Sequence, residues 1–282
     1  MNRRGFLATA AASALPLRVS LEGIGRARPA APPTTIRLGV ATYSLRELSR
    51  ADAIGAIRAL RAKYVNIKSF HLPYESTSEE LAAGRRAFQD AGLIIVGGGV
   101  ITLQKDDDDD IRTYFEYARA AGFPLMIIAP TPATMPRIER FVRQYGIGVA
   151  IHNHGPEDQY FPAPRDALRV IRNMDPRVGL CVDLGHTART GVDVVEALAE
   201  AGERLLDIHA KDLKDLRDGE SQCVVGEGAM PLPAIFRQLV AMGYGGSVDL
   251  EYEIDEKDPL PGMQRSFAYM RGLLNGLGIA EG

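Results

Sequence analysis

The sequence predicts an α/β protein built as a (β/α)8 barrel, on three observations. Eight short apolar runs alternate with eight amphipathic stretches after Pro33, the pattern of a parallel sheet whose crossovers are helices. Four of the later runs deliver a histidine or an acid at or just past their C-terminal ends: Val149-Ala150-Ile151-His152-Asn153-His154, Gly179-Leu180-Cys181-Val182-Asp183 with His186 beyond it, Leu205-Leu206-Asp207-Ile208-His209, and Ser247-Val248-Asp249-Leu250-Glu251. An unpaired carboxylate in an apolar setting costs on the order of several kcal/mol, so something positive must meet these acids. Finally, the competing open doubly wound sheet needs a glycine-rich phosphate turn that opens a helix. Gly97-Gly98-Gly99 follows the third run, but no helix opens there.

At 282 residues, 46% hydrophobic, the chain is large enough for one full core. A net charge of -3 argues against a nucleic-acid partner, which asks for a basic excess or stripe. Two cysteines, Cys181 and Cys223, are too few for a disulfide framework, and Cys181 reads as a small buried thiol in a strand.

The elements follow in order. Residues 1–33 are expected to be a targeting segment and linker, and 34–282 the barrel domain. Asn2-Arg3-Arg4-Gly5-Phe6-Leu7 resembles the twin-arginine export signal. The apolar run Phe6 to Leu17 is too short for stable membrane insertion. The resemblance implies the twin-arginine export machinery as a partner and a periplasmic or secreted location. Strands are then expected at 36–44, 64–69, 93–96, 125–129, 147–152, 179–183, 205–209 and 247–251. Helices are expected at 51–63, 78–91, 108–121, 135–145, 165–174, 192–201, 232–242 and 264–274, each closing an αβ step. Thr77 or Ser78 with Glu80 reads as a helix cap, and the acidic run Asp106 to Asp110 as a helix start that complements the dipole. Gly92, Gly122, Gly146 and Gly243 stand where left-handed C-caps belong.

All five histidines, His71, His152, His154, His186 and His209, fall at or just beyond strand ends. In a barrel these positions gather at the C-terminal face. Five imidazoles there, with Asp183 and Glu251 in equivalent places, point to a metal site. Alternation groups the candidates: His152 with His154, Asp207 with His209, and Asp249 and Glu253 with Glu251. One of each set can bind metal while its neighbour supports it or meets substrate. Imidazoles and carboxylates together suit Zn, Mn, Co or Fe(II) better than Mg or Ca.

From Val40-Ala41-Thr42-Tyr43-Ser44 to Leu250-Glu251-Tyr252-Glu253 the chain resembles the xylose isomerase-like TIM-barrel superfamily of sugar isomerases and epimerases. The most specific stretches are His152-Asn153-His154-Gly155, Val182-Asp183-Leu184-Gly185-His186, Asp207-Ile208-His209-Ala210-Lys211-Asp212 and Gly226-Glu227-Gly228. The resemblance implies metal ligands at Asp183, His209 and Glu251. The fourth falls on His152, where many members carry glutamate on the fifth strand. In the ketose epimerases of this superfamily, the glutamates of the fifth and eighth strands exchange protons on opposite faces of the sugar. His152 removes one of that pair and leaves the shared first step.

In that step a metal polarises a sugar carbonyl and stabilises the enediolate while a base removes the alpha proton. Glu251, His154 or His186 is the expected base. Reprotonation would give isomerisation or epimerisation, and expulsion of a β-oxygen would give a keto-glycoside lyase. Lys211 is expected to stabilise the oxyanion, with Lys68, His71, Glu253 and Glu227 on the substrate side. The expectation is therefore an exported, metal-dependent sugar isomerase or epimerase acting on a small sugar or keto-sugar. A non-catalytic sugar-binding protein is the competing class, and homo-oligomerisation stays open.

Overall fold

The computed structural model describes residues 35–282; the leader and linker expected over 1–33 lie outside the described residues. Strands β1 (Thr35–Ala41), β2 (Tyr64–Ile67), β3 (Ile94–Leu103), β4 (Leu125–Pro130), β5 (Gly148–His152), β6 (Val178–Asp183), β7 (Leu205–Ala210) and β8 (Ser247–Leu250) pair in sequence order. Every pairing is parallel, and β8 returns to β1 to close the barrel. The outer ring comprises α1 (Arg50–Ala59), α2 (Ser78–Asp90), α3 (Asp108–Ala121), α4 (Met135–Tyr145), α5 (Pro164–Ile171), α6 (Leu184–Arg189), α7 (Val194–Ala201), α8 (Leu232–Ala241) and α9 (Leu260–Leu277).

The helices form where local chemistry starts and stops them. Thr77 and Glu80 make a reciprocal capping box, Thr77 N donating to Glu80 Oε2 at 2.8 Å and Glu80 N to Thr77 Oγ1 at 3.2 Å. Asp107 caps α3 by accepting from the amides of Asp109 and Asp110. The acidic run does more than start the helix, because Asp106 and Asp108 pair with Arg137 and Arg140 of α4. Along α3, Ile111, Phe115 and Ala118 are buried at helical spacing. Burying an Ile or Phe side chain contributes roughly 1.5–3 kcal/mol. Gly92, Gly122, Gly146 and Gly243 all have positive φ, as C-caps require.

Three elements depart from expectation. β1 ends at Ala41 and not at Ser44, because the chain turns into a 3-10 helix at Thr42–Leu45. That turn is fastened across the barrel rim: Thr42 Oγ1 accepts from Lys68 N at 2.8 Å, and Ser44 Oγ accepts from Tyr252 N at 2.8 Å. β3 continues past Val96 through its three glycines. A Cβ on Gly98 would stand 2.1 Å from the Phe123 ring, and Gly99, at φ +119°, lies at a register shift against β4. The triplet is therefore a bulged strand lying close over its neighbours. The short α6, directly after Asp183, had no counterpart in the expected elements.

After β7 comes a two-residue antiparallel ribbon, Asp212–Leu213 against Gln222–Cys223. The buried Asp212 carboxylate accepts four backbone amides: Leu213 at 2.9 Å, Gly226 at 2.8 Å, Gly228 at 3.0 Å and Met230 at 3.1 Å. A Cβ on Gly228 would fall 2.1 Å from Asp212 Oδ1, so Gly226-Glu227-Gly228 wraps that carboxylate. Asp212→Ala would orphan several of these amides, and the expected loss in urea unfolding is about 3 kcal/mol or more. A loss below about 1 kcal/mol would mean that the loop is held by something else. Cys181 and Cys223 are buried free thiols. Among the described residues no helix is long and apolar enough to cross a membrane.

Candidate active site

The C-terminal end of the barrel is organised from β5 to β8. Asp183 ends β6 and is also the N-cap of α6. Its Oδ1 accepts from His186 N at 2.8 Å, while its buried Oδ2 has no hydrogen-bond partner among the described residues. One carboxylate thus uses one oxygen to start a helix and turns the other inward. Asn153, whose parity points it away from the axis, secures this position. Its Oδ1 accepts from Asp183 N at 3.1 Å, its Nδ2 donates to Thr187 Oγ1 at 3.0 Å, and Thr187 Oγ1 donates to Asp183 O at 2.6 Å.

Around Asp183 Oδ2 the structure gathers His152, His209 and Glu251, with one donor atom from each of the four residues all within 4.8 Å of one another. His152 Nε2 lies 2.9 Å from His209 Nδ1 and 3.6 Å from Asp183 Oδ2, and His209 Nδ1 lies 3.1 Å from Glu251 Oε2. The edges of a tetrahedron with bonds of about 2.1 Å are about 3.4 Å long, so these spacings fit one ion. Burial holds the imidazoles of both His152 and His209 below their usual pKa, which keeps them in the neutral form that ligation requires. The orphaned Asp183 oxygen and this mixed donor set fit a divalent transition metal.

Two buried lysines offset the acids. Lys211 Nζ lies 3.2 Å from Asp183 Oδ2, 3.1 Å from Glu251 Oε2 and 2.6 Å from Glu253 Oε2, and Lys68 Nζ lies 3.2 Å from Glu251 Oε1. Burial alone would push both carboxyls up. Lys211, with His186 and His152, holds Asp183 well below the usual carboxylate range, and His209 with Lys211 and Lys68 does the same for Glu251. Burial likewise opposes the Lys211 charge, but the facing carboxylates Asp183, Glu251 and Glu253 win and hold its pKa well above the ordinary value.

One layer deeper the barrel interior stays polar. Asp207 and Asp249 are buried there, Asn66 Nδ2 donates to Asp207 Oδ2 at 3.1 Å, and Ser247 Oγ donates to Asp249. Burial, then the charge of Asp249, pushes Asp207 well above the carboxylate range. Burial also raises Asp249, to about 6. The layer has room because β1 carries Gly39, where a Cβ would meet Asp249 Oδ1 at 1.9 Å.

Above the cluster opens a cavity of about 260 Å³ lined by His152, His154, His186, Lys68, Lys211, Glu251 and Glu253. The structure therefore brings together nine of the expected site residues, Asp183 and His209 lying in its floor. His71 and Glu227 stand apart. His71 is buried in the turn after β2, its amide donating to Lys68 O at 3.0 Å. Glu227 points outward, 3.4 Å from Arg265. The expectation that all five histidines share the face thus holds for four. Tyr43 and Phe70 also line the cavity, their rings 5.7 Å apart and edge to face, though neither was an expected site residue. Arg189 was missed too: its Nη1 donates to His186 Nδ1 at 3.1 Å, and its Nη2 pairs with Glu157.

Residues 133–273 match the sequence profile of the family described as xylose isomerase-like TIM barrel. Among curated proteins, the rhizopine catabolism protein MocC of Rhizobium meliloti is 28% identical over 133 residues, 42% of this chain and 40% of that protein. Inosose dehydratase of Mesomycoplasma hyopneumoniae (strain 7448) is 26% identical over 156 residues, 48% of this chain and 51% of that protein. The matches thus span about half or less of those relatives' own lengths. Among solved structures, that of the IOLI protein with a binding zinc atom superposes with a TM-score of 0.72 at 16% identity, covering 86% of this chain and 99% of that one.

Proposed function

The chain belongs to the xylose isomerase-like TIM barrel family, and from that premise we propose that it is a metal-dependent enzyme that removes the proton alpha to the carbonyl of a sugar or keto-sugar. The observation that carries this reading is the buried Asp183 Oδ2, which has no hydrogen-bond partner among the described residues and faces His152 and Lys211 at the centre of a four-donor cluster. A divalent ion held by His152, Asp183, His209 and Glu251 would polarise the carbonyl and offset the charge that develops on its oxygen. The zinc-bearing neighbour of the same fold and the inosose-dehydrating relative support such a metal and a carbohydrate substrate.

The other roles follow from the protein's own groups. Glu251, kept ionised, and His154 are the candidate bases. Asp158 Oδ2 lies 3.4 Å from His154 Nδ1 and only accepts, which favours a proton on Nδ1 and a free lone pair on Nε2. His186 is set the other way. Arg189 can only donate, so His186 Nδ1 accepts and Nε2 carries the proton. His186 is thus set to donate a hydrogen bond from Nε2. Lys211 and Lys68 bring positive charge to the same wall of the cavity.

A donor on the rim also favours the elimination reading. A base removes the alpha proton, the C–O bond to the β-oxygen breaks, and the protonated base returns its proton to the leaving oxygen, to which His186 Nε2–H donates a hydrogen bond. We take the Arg3-Arg4 leader to direct export of this enzyme, a reading supported by the arginine pair and the apolar run that follows it.

The test is exchange with deuterated solvent. Metal-loaded protein incubated with a panel of keto-sugars should wash out the alpha hydrogen of a true substrate, and chelation should abolish that exchange. A sugar that binds without exchanging, at full metal occupancy and across the panel, would favour a binding protein instead.

A further inference from the structure

A second groove of about 570 Å³ lies beside the cavity, and the two share His186, Lys211 and Glu253 as a common wall. The groove runs between the end of α6 and the tip of the ribbon that follows β7. Its far side is a built surface. The tip is a 3-10 helix, Gly219–Ser221, and Ser221 Oγ bonds Asp215 O at 2.8 Å and Asp218 O at 2.7 Å and accepts from Asp215 N at 3.1 Å. The tip also closes tightly on α6: a Cβ on Gly219 would stand 3.0 Å from Arg189 Cζ. Only glycine lets the ribbon approach the guanidinium so closely without moving it.

The charges of the groove define what it can take. Arg189 is committed to Glu157 and His186, and Lys211 to Asp183, Glu251 and Glu253. Of the groove's cations only Arg217 has no ion pair among the described residues, and it shares the groove with Asp218 and Glu220. A phosphorylated substrate would find one uncommitted cation amid several acids. A neutral polyol would find donors and acceptors interleaved, the surface that hydroxyl groups pair with best. Size points the same way. At about 260 Å³ the cavity over the cluster holds the equivalent of roughly nine liquid waters, the scale of one monosaccharide ring. The groove adds room for a second.

We infer that the substrate is an uncharged glycoside of at least two rings, its keto-sugar ring over the His152–Asp183–His209–Glu251 cluster and its second sugar ring in the groove against Arg217 and Glu220. The inference rests on the reading that the cavity is a sugar site. It goes further in placing the specificity of the enzyme in the ribbon after β7, and in excluding sugar phosphates.

The experiment measures dissociation constants of the metal-loaded full chain for a keto-disaccharide and the matching keto-monosaccharide, alongside deuterium exchange on both. The disaccharide should bind on the order of tenfold tighter, the effect of one or two well-placed hydrogen bonds. In the Arg217→Ala/Glu220→Ala variant that preference should fall toward one. Equal affinities for the two ketones, or a preference that survives in the variant, would overturn the groove assignment. A phosphorylated keto-sugar that binds as tightly as the disaccharide would overturn it too. If the monosaccharide exchanges without any gain from a second ring, the chemistry stands and the groove falls. If the disaccharide binds tighter but neither ketone exchanges, the groove stands and the proposed reaction falls. Binding of neither ketone would sink both.

Discussion

Asp183→Asn is expected to fold and to lose the metal proposed for the cluster. The substitution keeps an oxygen for the His186 amide and so preserves the cap of α6, because Asn and Asp cap equally well. It removes the charge at a buried oxygen that has no hydrogen-bond partner among the described residues and lies at the centre of the cluster. Outer-sphere partners of metal ligands are worth about 10- to 100-fold in affinity, and a direct ligand should cost more. Metal stoichiometry after dialysis should therefore fall toward zero and alpha-hydrogen exchange should disappear, while the metal-free protein still folds cooperatively at a somewhat lower midpoint, Lys211 keeping Glu251 and Glu253 as partners. Full metal retention by the variant would remove Asp183 from the ligand set and, with it, the central argument for the site.

Lys211→Met is expected to have the largest effect on stability. Its ammonium faces Asp183, Glu251 and Glu253 from a side chain only 4% exposed. Removing one partner of such a buried ionic group typically costs about 3–5 kcal/mol, because the remaining charges lose their compensation. The metal-free variant should unfold at clearly lower denaturant concentration. A divalent cation is a second way to satisfy two of these carboxylates, Asp183 and Glu251, so metal should raise the variant's midpoint more than the parent's. An equal shift in both proteins would mean that lysine and metal do not compete for the same charge.

The legible part of this molecule is what periodicity encodes. Alternation along β5 to β8 places His152, Asp183, His209 and Glu251 on the inner face, and the helix caps at Thr77 and Asp107 are local chemistry that a sequence states outright. What was not legible depends on contacts between distant segments. α6 is six residues long and contains a glycine, too short to show a stripe. It forms because Asp183 caps it and Asn153 rivets both to β5. The setting of the His186 ring comes from Arg189, whose Nη1 meets His186 Nδ1 and whose Nη2 pairs with Glu157 in the loop after β5. His71 shows the opposite failure. Parity holds only along a strand, and His71 lies beyond the end of β2 in a turn that folds its ring into the interior. Glu227 was read from its glycine neighbours, which serve the Asp212 carboxylate and leave the Glu227 side chain outside.

The last residues of the chain run alongside the first strand: Ala280 and Glu281 pair in parallel with Thr35 and Ile36, and Gly282 N donates to Ile36 O at 3.0 Å. The described ends of the barrel are therefore neighbours, joined at the beginning of β1, the end of the barrel opposite the one where the histidines and acids gather. Where the chain is cut then matters less than the order in which the strands go round. A short linker across this seam would permit new termini on an outer helix connection, such as the one around Gly243–Gly245, without disturbing the register of β7 against β8. The barrel is in this sense a ring whose seam lies at its base, away from the cluster at its other end.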